Sequence, residues 1–261
     1  MNWLAEAFTE NSIVWLLLST FVALLSGFVS SWLTYRFVKR REMIESIELE
    51  EESEKQERIR QEVIRWANPI LAAVKDLEGR LRNILDLAGY LALSENYENQ
   101  VNSDWSISYD YFMNSTLYLF GLYFAWTRML QEELNFELFE SQRDKDRFFQ
   151  AIAKVAKSLG SFPPKYSCSG KDTQVFRLQQ QAIGELFIVD GHKHRRCLNY
   201  PEFLQKLNDN QFSQHLRPLR ALLEDVSPES DCRWKRLEVT KQALADLEAH
   251  CKDLLVLSEE T

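Results

Sequence analysis

The residues best suited to chemistry lie in one loop, His192-Lys193-His194-Arg195-Arg196-Cys197. His-x-His-x-x-Cys offers three zinc-ligating side chains, with Cys168 as a fourth. Lys193, Arg195 and Arg196 crowd those ligands with positive charge, and no second Cys or His pair has the spacing that completes a site. Lys193, His194, Arg195 and Arg196 are therefore read as a solvated basic contact loop, suited to acidic lipid or an acidic partner.

Other chemistries find less support. Di-iron sites in helical bundles use Glu-x-x-His pairs, and none of His192, His194, His215 or His250 has a glutamate three residues earlier. A phosphate-binding Gly loop ending in Lys-Ser/Thr, a His-Glu-x-x-His helix and a Gly-x-Ser-x-Gly elbow are all missing. Glu132, Glu133 and Glu137 cluster near one helix end and read as a solvated face. Tyr118, Tyr123, Phe124 and Trp126 are core aromatics first, with a ligand pocket as the alternative. No catalytic, cofactor-binding or metal-ligating residue is assigned, no cofactor is expected, and the reading leans away from an enzyme.

The elements that carry these residues follow from composition and periodicity. The 261-residue chain is 45% hydrophobic, holds only 8 glycines and has a net charge of −8. Few glycines argue against tight hairpins, and the negative balance argues against a nucleic-acid-binding body. Cys168, Cys197, Cys232 and Cys251 show no paired spacing and are expected as free thiols in a reducing compartment.

From Asn11 to Tyr35 no residue is charged. As a helix this run reaches roughly 37 Å at about 1.5 Å per residue, more than the ~30 Å hydrocarbon layer. Trp15 at one end and Trp32 and Tyr35 at the other suit the interfacial belts. Glu6 and Glu10 precede the run, which disfavours a cleavable leader. Arg36, Lys39, Arg40 and Arg41 follow it, so the positive-inside rule predicts an outer N-terminus and a cytoplasmic remainder at the cell membrane. Ser19, Ala23, Gly27 and Ser31 recur at every fourth position, a small-residue face on which two helices could pack in lipid.

Between Glu42 and Glu62 nine acids face three basic residues, predicting an exposed juxtamembrane helix. An apolar stripe begins near Ile59, and Asn68-Pro69 predicts a helix break, with a new helix from Pro69 to about Leu91. Tyr111 to Thr127 is uncharged for 17 residues, the lower limit for a span. Its Asn114, Ser115 and Thr116, and its lack of Ile and Val, predict a buried core helix capped by Ser115 and continuing toward Phe139. Amphipathic patterns predict further helices at 143–159, 176–188, 200–207 and 212–226 and from Leu237 onward.

The pattern STLYLFGLYFAWTRMLQEELNF, followed by FRLQQQAIGELFI and RCLNYPEFLQKL, resembles a family of uncharacterised bacterial membrane-anchored helical proteins over roughly Trp66 to Leu257. The resemblance implies an all-helical domain and no known activity, cofactor or active residue. The expected architecture is all-α: an outer N-terminus (1–12), a transmembrane helix (13–38), an acidic juxtamembrane helix (39–67) and a cytoplasmic helical bundle (68–261). The expected role is a membrane-tethered interaction or scaffold module that binds a protein partner or itself. The alternative is a ligand-sensing domain with an aromatic pocket.

Overall fold

The computed structural model describes the backbone of residues 3–95, 97, 108–133, 142–161, 174–191, 195–228 and 232–260. Side chains are described over the same ranges except 3–18, 59, 62–64, 133, 142 and 254–260. The described chain is predominantly helical: α1 (Trp3–Asp86), a 3-10 turn (Gly89–Leu93), α2 (Tyr109–Glu133), α3 (Gln142–Gly160), α4 (Arg177–Phe187), α5 (Tyr200–Lys206), α6 (Asn210–Leu223) and α7 (Cys232–Glu260). Two short strands, β1 (Ile188–Val189) and β2 (Arg196–Cys197), pair antiparallel. The chain divides into two units, Met1–Arg58 and Ile59–Thr261.

In the first unit, Ser19–Arg58 is a helical stretch long and apolar enough to cross a membrane. Phe21, Leu24, Phe28 and Trp32 are each more than half exposed. Its hydroxyls turn inward on the helix: Ser26 Oγ donates to Ala23 O at 2.9 Å and Thr34 Oγ1 to Ser30 O at 2.8 Å. That pattern satisfies polar side chains without outside partners. Where its uncharged run ends, the Arg36 guanidinium lies 5.0 Å from the Trp32 ring centre and Lys39 Nζ 5.6 Å from that of Tyr35.

The second unit is built on one core cluster drawn from every helix within it. Trp66, Ile70, Val74, Leu77, Leu81 and Ile84 of α1 are buried, a stripe with helical period. The stripe passes through Pro69 without a break, so the predicted helix boundary at Asn68-Pro69 is corrected. A proline inside a helix costs ~3 kcal/mol. Burying each large side chain returns about 1.5–3 kcal/mol, and such residues flank Pro69 on both sides. Burial wins there.

Helix α2 packs chiefly on α4, and α3 on α7. Glycines allow the first contact. A Cβ on Gly184 would sit 2.7 Å from Phe124 O, and one on Gly121 would sit 2.1 Å from the Phe187 ring. The expected start of α2 at Ser115 is also corrected. The helix begins at Tyr109, where Ser108 Oγ accepts from the Tyr111 amide at 3.2 Å, and Ser115 is buried inside it. The expected continuation toward Phe139 falls outside the described residues.

Cys197 and Cys251 are free thiols, whereas Cys232 is disulfide-bonded. This corrects the expectation of four free thiols, and with it the support they lent to a reducing compartment.

Candidate functional site

The aromatic helix α2 is the centre of the second unit. Leu117, Phe120, Tyr123, Phe124 and Met129 are buried, and the buried hydroxyls of Ser115, Thr116 and Thr127 bond carbonyls of their own helix. Thr116 Oγ1 donates to Phe112 O at 2.7 Å and Thr127 Oγ1 to Tyr123 O at 3.0 Å. Back-bonding of this kind lets a helix carry Ser and Thr into a core. Tyr123 stands apart: its hydroxyl is buried without a hydrogen-bond partner, and burial raises its pKa, with Cys251 adding to the effect.

Of the four aromatics weighed as pocket residues, Tyr123 and Phe124 are core, while Trp126 meets Trp66 edge-on with ring centres 6.5 Å apart. Tyr118 lies at the rim, where its hydroxyl donates to Leu198 O at 3.0 Å, just beyond β2. Its ring packs against Tyr200 at 5.3 Å and Phe203 at 5.5 Å. Burial raises the Tyr118 pKa, with smaller contributions from Cys197, Glu202 and Asp76. Tyr123 and Phe124 also face a small cavity. This cavity of about 40 Å³ opens between α2, α3 and α4, lined in part by Thr127, Arg128, Arg177 and Gln180. At ~10–15 Å³ per water position it has room for a few water molecules.

Beside Tyr118 the rim gathers polar groups from three helices. The Arg80 guanidinium of α1 stacks 4.4 Å from the Phe112 ring centre. Tyr111 of α2 and Tyr200 of α5 meet edge-on with ring centres 6.5 Å apart. Burial lowers the Arg80 pKa, and the Tyr111 and Tyr200 hydroxyls, its electrostatic neighbours, partly restore it.

The basic loop has a different setting. Arg196 makes a two-pronged contact with Glu202, both distances 2.7 Å, and Arg195 bonds Glu132 at 2.6 Å. Glu202 also closes a capping box on α5: its carboxylate accepts from Asn199 N, and Asn199 Oδ1 accepts from Glu202 N, both at 2.9 Å. The charges of Arg195 and Arg196 are thus matched inside the unit. Lys193, His194, His192 and Cys168 lie outside the described residues, as does Glu137. Glu132, read as a solvated carboxylate, holds Arg128 at 2.8 Å as well as Arg195.

On the N-terminal helix Ser19, Ala23, Gly27 and Ser31 are all exposed, and a Cβ on Gly27 would meet nothing within 4 Å. The predicted packing face is open in the single chain.

Two arginines escaped the sequence reading. Arg236 is fully buried, and its Nη1 donates to the carbonyls of Ser158, Leu159 and Ser161 at 2.8, 2.9 and 3.0 Å. Arg233 Nη1 donates to Ala221 O and Glu224 O at 2.9 and 2.6 Å. Each guanidinium sits on the negative end of a helix, α3 and α6 respectively, where the last carbonyls need donors. A signal was present: Arg236 shares the stripe of Thr240, Leu244, Leu247 and Cys251, and a cation in an apolar register implies a buried acceptor set.

No protein-family model matches this chain, and neither does any curated protein or solved structure.

Proposed function

We propose that this chain is a membrane-tethered helical interaction module, anchored by one N-terminal span, with Ile59–Thr261 as its working part. One observation carries the proposal: the side chains from Ser19 to Val38 are exposed on every face of the helix, Phe21, Leu24 and Phe28 by 63%, 73% and 74%. Water tolerates no apolar surface of that extent, whereas lipid does. The Arg36–Trp32 and Lys39–Tyr35 pairs place cations and aromatic rings together at one end, as at a membrane interface. The charge asymmetry of Arg36, Lys39, Arg40 and Arg41 favours a cytoplasmic second unit. The disulfide at Cys232 pulls the other way, so the orientation rests on charge alone.

Self-association through Ser19, Ala23, Gly27 and Ser31 is the form of interaction favoured by the open small-residue face. The chain should remain in the pellet on alkaline carbonate extraction and move to the supernatant in detergent. Crosslinking in those membranes should yield a dimer band that Gly27→Ile diminishes severalfold. Release by carbonate would remove the anchor, and an unchanged dimer band in Gly27→Ile would remove this face.

A further inference from the structure

We propose that the cleft between α2, α3 and α4 binds a hydrophobic monocarboxylate, with its chain along one face of α3 and its carboxylate at Arg177. The proposal goes beyond the tether reading and is independent of it, since every residue involved belongs to the unit Ile59–Thr261.

Two adjoining hollows make up the cleft. A groove of about 660 Å³ borders the 40 Å³ cavity, and Gln131, Ile152, Ala156 and Arg177 line both. That size suits a small ligand, whose sites are mostly apolar with a few placed polar groups. The floor of the groove is one face of α3, where Phe149, Ile152, Ala153, Ala156 and Gly160 follow helical spacing. The face runs roughly 16 Å at about 1.5 Å per residue. Phe176, 50% exposed, lines the groove just before α4 begins. An apolar face left open to water is stabilised when a hydrocarbon chain covers it.

The polar groups select the charge. Arg128 Nη2 holds Glu132 and Glu185, both at 2.8 Å, and Arg195 also holds Glu132, so these two arginines and two glutamates offset one another. Lys157 and Arg177 have no ion pair among the described residues, and no carboxylate is among the described residues that line either hollow. The cleft is therefore left with positive charge. Arg177, common to both hollows, marks where an anionic head meets its chain. At the inner end, the Tyr123 hydroxyl and the Arg128 Nε are buried without hydrogen-bond partners, and both residues line the 40 Å³ cavity. Two unsatisfied donors beside so small a cavity call for a compact acceptor. A carboxylate brings two acceptor oxygens in one plane and a charge that Arg177 neutralises.

The test is calorimetric titration of the full chain in nanodiscs with octanoate, with the heat of octanoate entering empty nanodiscs subtracted. Saturable binding is expected, tightening about three- to fourfold per methylene from hexanoate to octanoate. Octanol keeps the chain and lacks the charge, and should bind about tenfold more weakly. Arg177→Gln, at an exposed position, should erase that difference. Tyr123→Phe keeps the ring and should weaken octanoate about two- to tenfold, which decides the matter if Arg177→Gln loses its helical circular-dichroism signal. Palmitate carried in the nanodisc bilayer identifies the source. Octanoate displaced by it assigns a membrane-derived fatty acid, and octanoate binding undisturbed by it assigns a soluble short-chain acid. No saturable binding, equal affinity for octanoate and octanol, or octanoate binding unchanged in either folded variant overturns the site.

Discussion

Tyr123 and Glu202 are opposite cases of a polar group in this unit. The Tyr123 hydroxyl is buried and has no hydrogen-bond partner, so it bears a desolvation cost with no return. Tyr123→Phe is expected to leave stability unchanged or to raise it by about 1 kcal/mol in urea denaturation. Glu202 is oversupplied instead: Arg196 and then the Asn199 amide hold its pKa at about 2, from an ordinary 4.5. A depressed folded-state pKa stabilises the fold above the unfolded value, and that contribution disappears as pH falls through the folded value. The pair's contribution should therefore be full above pH 4.5, neutrality included, and be lost toward pH 2. Carbon-detected NMR should show the Glu202 carboxyl titrating near 2, and shifting back toward 4.5 in Arg196→Gln. An unshifted midpoint in that variant would assign the depression to the capping box alone.

At the scale of elements, contact between α2 and α4 depends on two residues that lack a side chain. At Gly184 the obstacle to a Cβ is the Phe124 backbone, 2.7 Å away, which cannot rotate aside. A Cβ on Gly121 would first meet the Phe187 ring, which is itself packed on Phe203 and Phe212 at 5.3 and 5.7 Å. Gly184→Ala should cost about 1–3 kcal/mol by forcing the helices apart. Gly79 of α1 is the control, with nothing within 4 Å of its Cβ position. Its replacement by Ala should stabilise by roughly 0.5–1 kcal/mol through backbone entropy alone. Urea midpoints moving in opposite directions for the two variants would bear this out; a common direction would contradict the close-packing account. The α3–α7 contact is organised differently, around polar groups. Ser158 and Thr240 hydroxyls lie 2.9 Å apart in its interior, Arg236 caps α3, and Lys154 pairs with Asp246. A buried cation with three carbonyl acceptors fixes one register of α7 on α3, because any slip leaves it unpaired.

At the scale of the molecule, the proposed anchor predicts which side of a membrane the second unit occupies. The native thiols report on it poorly. Burial pushes Cys197 and Cys251 up to about 12, so neither supplies much thiolate near pH 8. Ser46, exposed and beyond Arg41, is a better position for a reporter. With the anchor oriented by Arg36, Lys39, Arg40 and Arg41, a Ser46→Cys thiol should resist a membrane-impermeant maleimide in intact cells and react after permeabilisation. Labelling in intact cells would reverse the topology and suit the Cys232 disulfide.

The sequence alone determined the predominantly helical class, the single apolar run near the N-terminus and the burial of α2. These follow from local properties: run length against bilayer thickness, period against helical pitch, and hydroxyls able to bond their own helix. Asn68-Pro69 looked like a boundary because local propensity says so, yet packing on both sides carries α1 through it. Tertiary structure alone decided that Arg195 pairs with Glu132, that Arg236 caps the distant helix α3, and that Tyr111 meets Tyr200. Each of these joins groups from separate elements, and sequence spacing carries no information on how the faces of different elements meet.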